Sequence, residues 1–266
     1  MKLIDTHNHV IPFVDDGAED WDVSLQMLRE AEEDGISEVI CTPHVLSNKD
    51  LTEEEKFISL FEELKKRALD AGIRVNLYLG SELYIQPHYD FSRRMATLAQ
   101  NGRYFLVEFP MGQIPTFAEK NFFSLFGNQV TPVIAHPERN GSILGDPQKA
   151  YFFVQHGALL QVTAGSLLGN FGSQVAKLAA QLMDANLVQL VATDAHDTSR
   201  RRLKLKQAYE FVRANWGPDR AEKLFCVNPS KLIRGEEIEL GFFEAVQEQE
   251  EPSRSLRQKL RDYFRR

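Results

Sequence analysis

Short, almost continuously apolar runs alternate with longer amphipathic stretches along this chain, and that alternation restricts the folds open to it. Runs such as YFLVEF, TPVIAH and VQLVAT have the composition of strands buried on both faces. Seven strand candidates result: Lys2–His7, Ser37–Pro43, Arg74–Ser81, Tyr104–Phe109, Thr131–Ala135, Leu159–Thr163 and Val188–Thr193. Helices are predicted at about 20–34, 53–71, 89–100, 116–127, 147–156, 172–185 and 199–215. In the first of them Val23, Leu25, Met27, Leu28 and Ala31 mark an apolar side, and Gly35 follows as a C-cap. Sevenfold β–α alternation predicts a parallel barrel or a doubly wound sheet. A length of 266 residues suits one such domain and a tail. The domain is assigned to residues 1–236, and residues 237–266 to a charged tail or peripheral helix, since the chain ends QEQEEPSRSLRQKLRDYFRR.

Bulk properties remove several classes of function. A net charge of −7 argues against broad attraction to nucleic acid or to an anionic membrane. No apolar run approaches the ~20 residues of a membrane span, and MKLIDTHNHV has no apolar signal-peptide core. The two cysteines, Cys41 and Cys226, form no C-x-x-C pair, so a reducing cytosol is the expected compartment.

The chemistry is expected where the strands end. Of seven histidines, five (His7, His9, His44, His136 and His196) fall at the C-terminal ends of strand candidates. In a parallel barrel those ends converge on one face, where active sites lie. In D-T-H-N-H, strand alternation predicts Asp5, His7 and His9 on one side. Two neighbouring imidazoles suit one metal ion. T-D-A-H places Asp194 and His196 together at the other end of the series, beside the first strand once a barrel closes. GSE adds Glu82 and EFP adds Glu108; buried strands seldom end in bare carboxylates that neither pair nor bind a metal. The V-D-D-G segment, with Asp15 and Asp16, fits a tight turn as well as it fits a ligand loop. Several divalent ions among these carboxylates and neutral imidazoles would leave a net positive site. Such a site suits a phosphate ester dianion, through Lewis-acid clamping and activation of water.

Two arginines could reinforce it. Arg139, in H-P-E-R, could meet a phosphate or pair with Glu138; Arg201 lies in the run Arg200–Arg202, which could equally be a solvated helix start. Other phosphate chemistries lack their residues. A cysteine phosphatase needs C-x5-R, but position 47 is Ser and position 232 is Leu. Neither G-x4-G-K-[ST] nor G-x-S-x-G occurs. The glycine-rich GSLLGNFG, from residue 165 to 172, is expected to be a βα loop near the site.

In order along the chain, IDTHNHVIPFVDDGAED, TPH, GSEL, VEFP, PVIAHPERN, QVTAGSLLGNFG, VATDAHD and NPSKL resemble the polymerase-and-histidinol-phosphatase (PHP) superfamily. Within it the set is most similar to the bacterial manganese-dependent protein-tyrosine phosphatases of capsule and exopolysaccharide operons. The resemblance implies a distorted (β/α)7 barrel of TIM type and three divalent metal ions, Mn before Fe or Zn. It implies one ion on His7, His9, Glu82 and Asp194, a second on Glu82, Glu108 and His136, and a third on Asp16, His44 and His196. It favours Asp16 over Asp15 as ligand, and Arg139 and Arg201 as phosphate contacts. The partner it implies is the phosphotyrosyl tail of a bacterial tyrosine autokinase. Alternatives within the superfamily are a histidinol-phosphate phosphatase, a nuclease and a non-catalytic regulatory module.

Overall fold

The computed structural model describes residues 2–118 and 130–247. Nine parallel strands form two ladders: β1 (Leu3–Asp5), β2 (Ile36–Cys41) and β4 (Asn76–Leu79) in one, and β3 (His44–Val45), β5 (Glu82–Tyr84), β6 (Tyr104–Glu108), β7 (Thr131–Ala135), β8 (Leu159–Thr163) and β9 (Leu190–Ala192) in the other. The ladders are one barrel with interruptions. β2 and β3 are separated only by Thr42 and Pro43, and β4 and β5 only by Gly80 and Ser81. Backbone bonds cross both breaks, from Gly80 N to Cys41 O (2.9 Å) and from Glu82 N to Pro43 O (3.0 Å). A parallel bridge between Asn8 and Ala195 closes the ring. Counted through the breaks, the described residues hold seven strands, and the expected distorted (β/α)7 barrel is the fold observed.

Strand alternation sorts the side chains. Ile40, Tyr104, Leu106, Val133, Ala135, Leu159 and Leu190 form one apolar cluster with Leu98, Leu232 and Ile238. It fills the barrel interior. The intervening residues Val39, Phe105, Val107, Ile134, Leu160 and Val191 join the larger cluster beneath the helices. Successive positions of inward parity lead from this core to the site: Ile40, Thr42, His44; Tyr104, Leu106, Glu108; Leu190, Ala192, Asp194. The same period that packs the barrel therefore carries the polar groups to its C-terminal mouth.

The helices Trp21–Asp34, Glu54–Asp70, Gln148–Gln155 and Ser173–Asp184 lie where the apolar period puts them. Asp20 caps the first through Val23 N, and Gly35 ends it at φ 92°. Three expectations change. Residues 89–100 form no α-helix, only turns and a 3-10 segment at Leu98–Gln100. There the Asp90 carboxylate accepts from Ser92 N and Oγ, and the Tyr89 hydroxyl is bonded to Tyr84 O and Gln86 N, so side chains compete with the helix. The helix expected from 199 begins only at Lys206. Asp197 draws the amides of Ser199, Arg200 and Arg201 into a turn, and Asp34 accepts from Leu205 N and Lys206 N. Asp5 does not project with His7 and His9; its carboxylate turns to Thr193 N and Oγ1 (2.7 and 2.9 Å) and holds the first strand to the last. The helix expected at 116–127 lies largely outside the described residues.

The expected tail begins on the barrel wall. Tyr104 Oη donates to Glu236 O and accepts from Ile238 N, Glu244 N bonds to Ala185 O, and Ile238 and Val246 are buried. Residues 248–266 lie outside the described residues. No described helix is long and apolar enough to cross a membrane.

Candidate metal centre

The nine ligand candidates converge at the C-terminal mouth. His9, Asp16, His44 and His196 can present donor atoms within 4.8 Å of one another, as can His7, His9 and Asp194, then His7, Glu82 and His136, and finally His44, Glu82 and Glu108. The hub is Glu82, on β5. Its Oε2 lies 3.1 Å from His7 Nε2, 3.1 Å from His44 Nδ1 and 3.4 Å from His9 Nε2, while Oε1 lies 3.0 Å from His136 Nε2. Glu82 is fully buried, yet Oε2 has no hydrogen bond of acceptable geometry, and neither has His44 Nδ1. Buried polar atoms are nearly always paired, so an unpaired carboxylate oxygen amid three imidazoles fits a cation.

Outer partners orient the imidazoles. The Asp15 carboxylate can only accept, so His9 Nδ1 is its donor (2.8 Å) and His9 Nε2 carries the lone pair. Gln161 Oε1 similarly takes His7 Nδ1–H at 3.0 Å, and Gln161 Nε2 donates to Thr6 Oγ1. Two imidazole lone pairs then face each other 3.3 Å apart, with Asp194 Oδ1 3.5 Å from both. That arrangement is repulsive without a positive charge between the nitrogens and is the donor chemistry of a metal site.

The V-D-D-G loop divides its two acids. The Asp15 side chain is buried and accepts from His9, from His44 N and from Gly17 N. Asp16 is 68% exposed, and its Oδ1 reaches His44 Nε2 at 3.5 Å and His196 Nε2 at 3.4 Å. A Cβ on Gly17 would lie 2.1 Å from His9 O, so only glycine lets this loop fold over His9.

Ionisation within the site is displaced in both directions. Burial pushes the Glu108 carboxyl up to about 7, aided by the Glu82 charge. Burial and then the neighbouring His9 push His196 down to about 3. Without an ion, burial would lower His9, but the carboxylates of Asp15, Asp194 and Glu82 outweigh it and raise His9 well above the ordinary imidazole range, so an ion at Nε2 would take the place of a proton there. On β7 and β9 the turn into the site is made by the donors themselves: His136 has φ 33° and Asp194 φ 53°, both left-handed.

The arginines separate cleanly. Arg139 Nη1 and Arg201 Nη2 both bond to Asp194 Oδ2. Arg139 also lies over the Phe171 ring, 4.5 Å from its centroid. It does not pair with Glu138, which is buried and accepts from Thr163 N. Arg202 pairs with Glu30, and Arg200 is exposed, so Arg201 is the member of the run that faces the site. Sequence reasoning missed Gln161 and the orienting role of Asp15. The signal for Gln161 was present, as the one polar side chain inside the apolar run LLQV.

The family model for capsular polysaccharide synthesis, CpsB/CapC, matches residues 3–234. The chain is 34% identical over 238 residues to the tyrosine-protein phosphatase YwqE of Bacillus subtilis (strain 168), covering 89% of this chain and 93% of that one. It is 25% identical over 238 residues to the tyrosine-protein phosphatase CpsB of Streptococcus pneumoniae, covering 87% and 98%. A solved structure from work on those two proteins, described as unique metal-dependent tyrosine phosphatases, superposes with a TM-score of 0.82 at 33% identity, over 92% of this chain and 100% of the other. An Escherichia coli phosphotriesterase homology protein with phosphate in its active site shares the fold at 12% identity and a TM-score of 0.52.

Proposed function

The chain belongs to the CpsB/CapC family of capsular polysaccharide synthesis, and from that premise we infer that it is a metal-dependent tyrosine-protein phosphatase. The observation that carries the inference is Glu82 Oε2, buried without a hydrogen bond among His7, His9 and His44. We assign one ion to His7, His9, Glu82 and Asp194, a second to Glu82, Glu108 and His136, and a third to Asp16, His44 and His196. Mixed imidazole and carboxylate donors suit Mn, with Fe or Zn as substitutes. When bound, such ions supply Lewis-acid stabilisation of phosphoryl oxygens and a water of lowered pKa.

The chain's own groups do the rest. Arg139 and Arg201 converge on Asp194 from two loops, and each guanidinium keeps further N–H donors for the non-bridging oxygens of a phosphoryl group. Phe171 backs Arg139 and limits its swing. A tyrosinate leaving group, with pKa near 10, needs less protonation than an alkoxide, so the reaction makes no strong demand for a general acid. The catalytic unit is residues 1–236. The substrate is the phosphotyrosyl tail of a bacterial tyrosine autokinase, which links the activity to capsule or exopolysaccharide synthesis, and the compartment is the cytoplasm. The test is phosphate release from such a tail beside histidinol phosphate, with metal content measured on the same sample. Chelation should abolish turnover and Mn²⁺ should restore it; release from histidinol phosphate alone would refute the assignment.

A further inference from the structure

Next to the donor set, the loops after β8 and β9 enclose a groove of about 610 Å³. One wall comes from the glycine-rich loop, through Gly165, Asn170 and Phe171; the other comes from the segment between Asp197 and Lys204. Both walls touch the centre, since Phe171 backs Arg139 and Arg201 bonds to Asp194. A Cβ at Gly165 would stand 3.0 Å from the Phe171 ring, so the glycine is what seats that ring. Volumes of roughly 300–1,000 Å³ hold whole ligands, which is more room than a phosphoryl group needs.

The groove is positive on a protein whose net charge is −7. Arg200, Arg201, Arg202 and Lys204 line it, against Asp34 and Asp197. Both acids keep their charge but are turned to backbone amides. Asp197 Oδ1 accepts from the amides of Ser199, Arg200 and Arg201 and from Ser199 Oγ, and Asp34 Oδ2 accepts from Leu205 N and Lys206 N. Arg201 is held by Asp194 and Arg202 by Glu30. Arg200 and Lys204 form no ion pair within 4.0 Å among the described residues, although the Lys204 charge acts on Glu30 at longer range. The lining thus holds four cations against two acids, and two of the cations stand outside any ion pair in a groove beside the phosphate site.

We propose that this groove receives acidic side chains flanking the phosphotyrosine of the polypeptide substrate, so that the enzyme selects substrates by the charge beside the phosphorylated residue. The proposal rests on the phosphatase assignment, and its test separates the two. Three peptides of equal length would carry a non-hydrolysable phosphonate analogue of phosphotyrosine flanked by Glu, Gln or Lys. Their binding to the Mn²⁺-loaded full chain would be measured by fluorescence anisotropy at low and high salt. Turnover of the matching phosphopeptides and of p-nitrophenyl phosphate would be measured in parallel. The acidic peptide should bind about three- to thirtyfold tighter than the neutral one, with the gap closing as salt rises. In Arg200→Glu, Lys204→Glu the preference should pass to the Lys-flanked peptide; in the milder Arg200→Gln, Lys204→Gln it should fall to parity. Equal binding of all three peptides by the parent, including no binding of any, would overturn the groove, as would a preference that survives both double variants. Charge-selective binding with no turnover of any phosphotyrosyl compound or of p-nitrophenyl phosphate would instead overturn the phosphatase assignment and leave the groove standing.

Discussion

On one side of the barrel the strands stop and restart on the way to the donor face; on the other, β6 to β9 reach it unbroken. The broken side supplies His7, His9, His44 and Glu82, and the continuous side Glu108, His136, Asp194 and His196. Each break holds a residue with special backbone properties. Pro43 offers no N–H to the ladder, and a Cβ on Gly80 would press within 3.0 Å of Leu98. The restart lets His44 and Glu82 be set one against the other as a new pair in register. On the continuous side the change of direction falls on the donors, His136 and Asp194, in left-handed backbone. Such conformations cost of order 1–3 kcal/mol each in a non-glycine residue. Direction is thus set before the donor on one side and within the donor on the other, and the broken side holds the hub.

If the hub is where the broken side places it, Glu82→Ala should have the largest effect. It removes the carboxylate that faces four imidazoles, so activity should fall to background and metal content should drop, with circular dichroism unchanged. Near-parent turnover would move the hub to the continuous side. Arg139→Ala tests that second side. It should retain its metals and lose about 30- to 1000-fold in turnover, the scale of a lost transition-state contact of roughly 2–4 kcal/mol. Metal loss in step with activity would make Arg139 a structural partner of Asp194.

The outer partners give a finer comparison. Asp15→Asn affects His9 from a loop on the broken side, and Gln161→Leu affects His7 from β8. Each should weaken metal binding by about 10- to 100-fold. The Asp15 variant should be the weaker binder, because a charged acceptor and two backbone contacts are altered at once. Metal titration of the apo-proteins decides the order. The smallest effect belongs to the thiols. Burial raises Cys41 well above the thiol range, and burial beside Glu222 raises Cys226 to about 12, so neither is a thiolate near neutral pH. Cys41→Ala, Cys226→Ala should turn over phosphotyrosine at close to the parent rate, with a modest loss of stability from packing at Cys41. A folded, metal-replete double variant without activity would refute a thiol-independent mechanism.

The sequence reveals the two sides unequally. Thr131–Ala135 and Leu159–Thr163 coincide with their predicted bounds because continuous apolar runs mark strands buried on both faces. Ser37–Pro43 and Arg74–Ser81 are located but appear as single strands, since a break of two residues leaves the apolar pattern nearly intact. The donors are legible because histidines and acids at strand ends have few structural uses. The division of labour between Asp15 and Asp16 is not, because adjacent acids in a turn have identical chemistry and differ only in which way the backbone points them. Residues 89–100 mislead for a related reason: the apolar spacing allows a helix, but Asp90 and Tyr89 satisfy backbone groups locally.

The ring closes between residues made at opposite ends of synthesis. Asp5 and Thr193, joined through a 2.7 Å bond, are 188 positions apart, and His7 meets Asp194 across the same seam. The entropic cost of closing so long a loop grows only logarithmically with length, but it cannot be met until the last strand exists. A nascent chain that has emerged as far as β8 already carries seven of the nine donors, yet its first strand has no neighbour on that side. Loading of the two sites that use Asp194 or His196 is therefore tied to completion of the barrel. Any ion that binds the finished seam and not the open chain acts as a clasp, stabilising the closed ring in proportion to the logarithm of its free concentration.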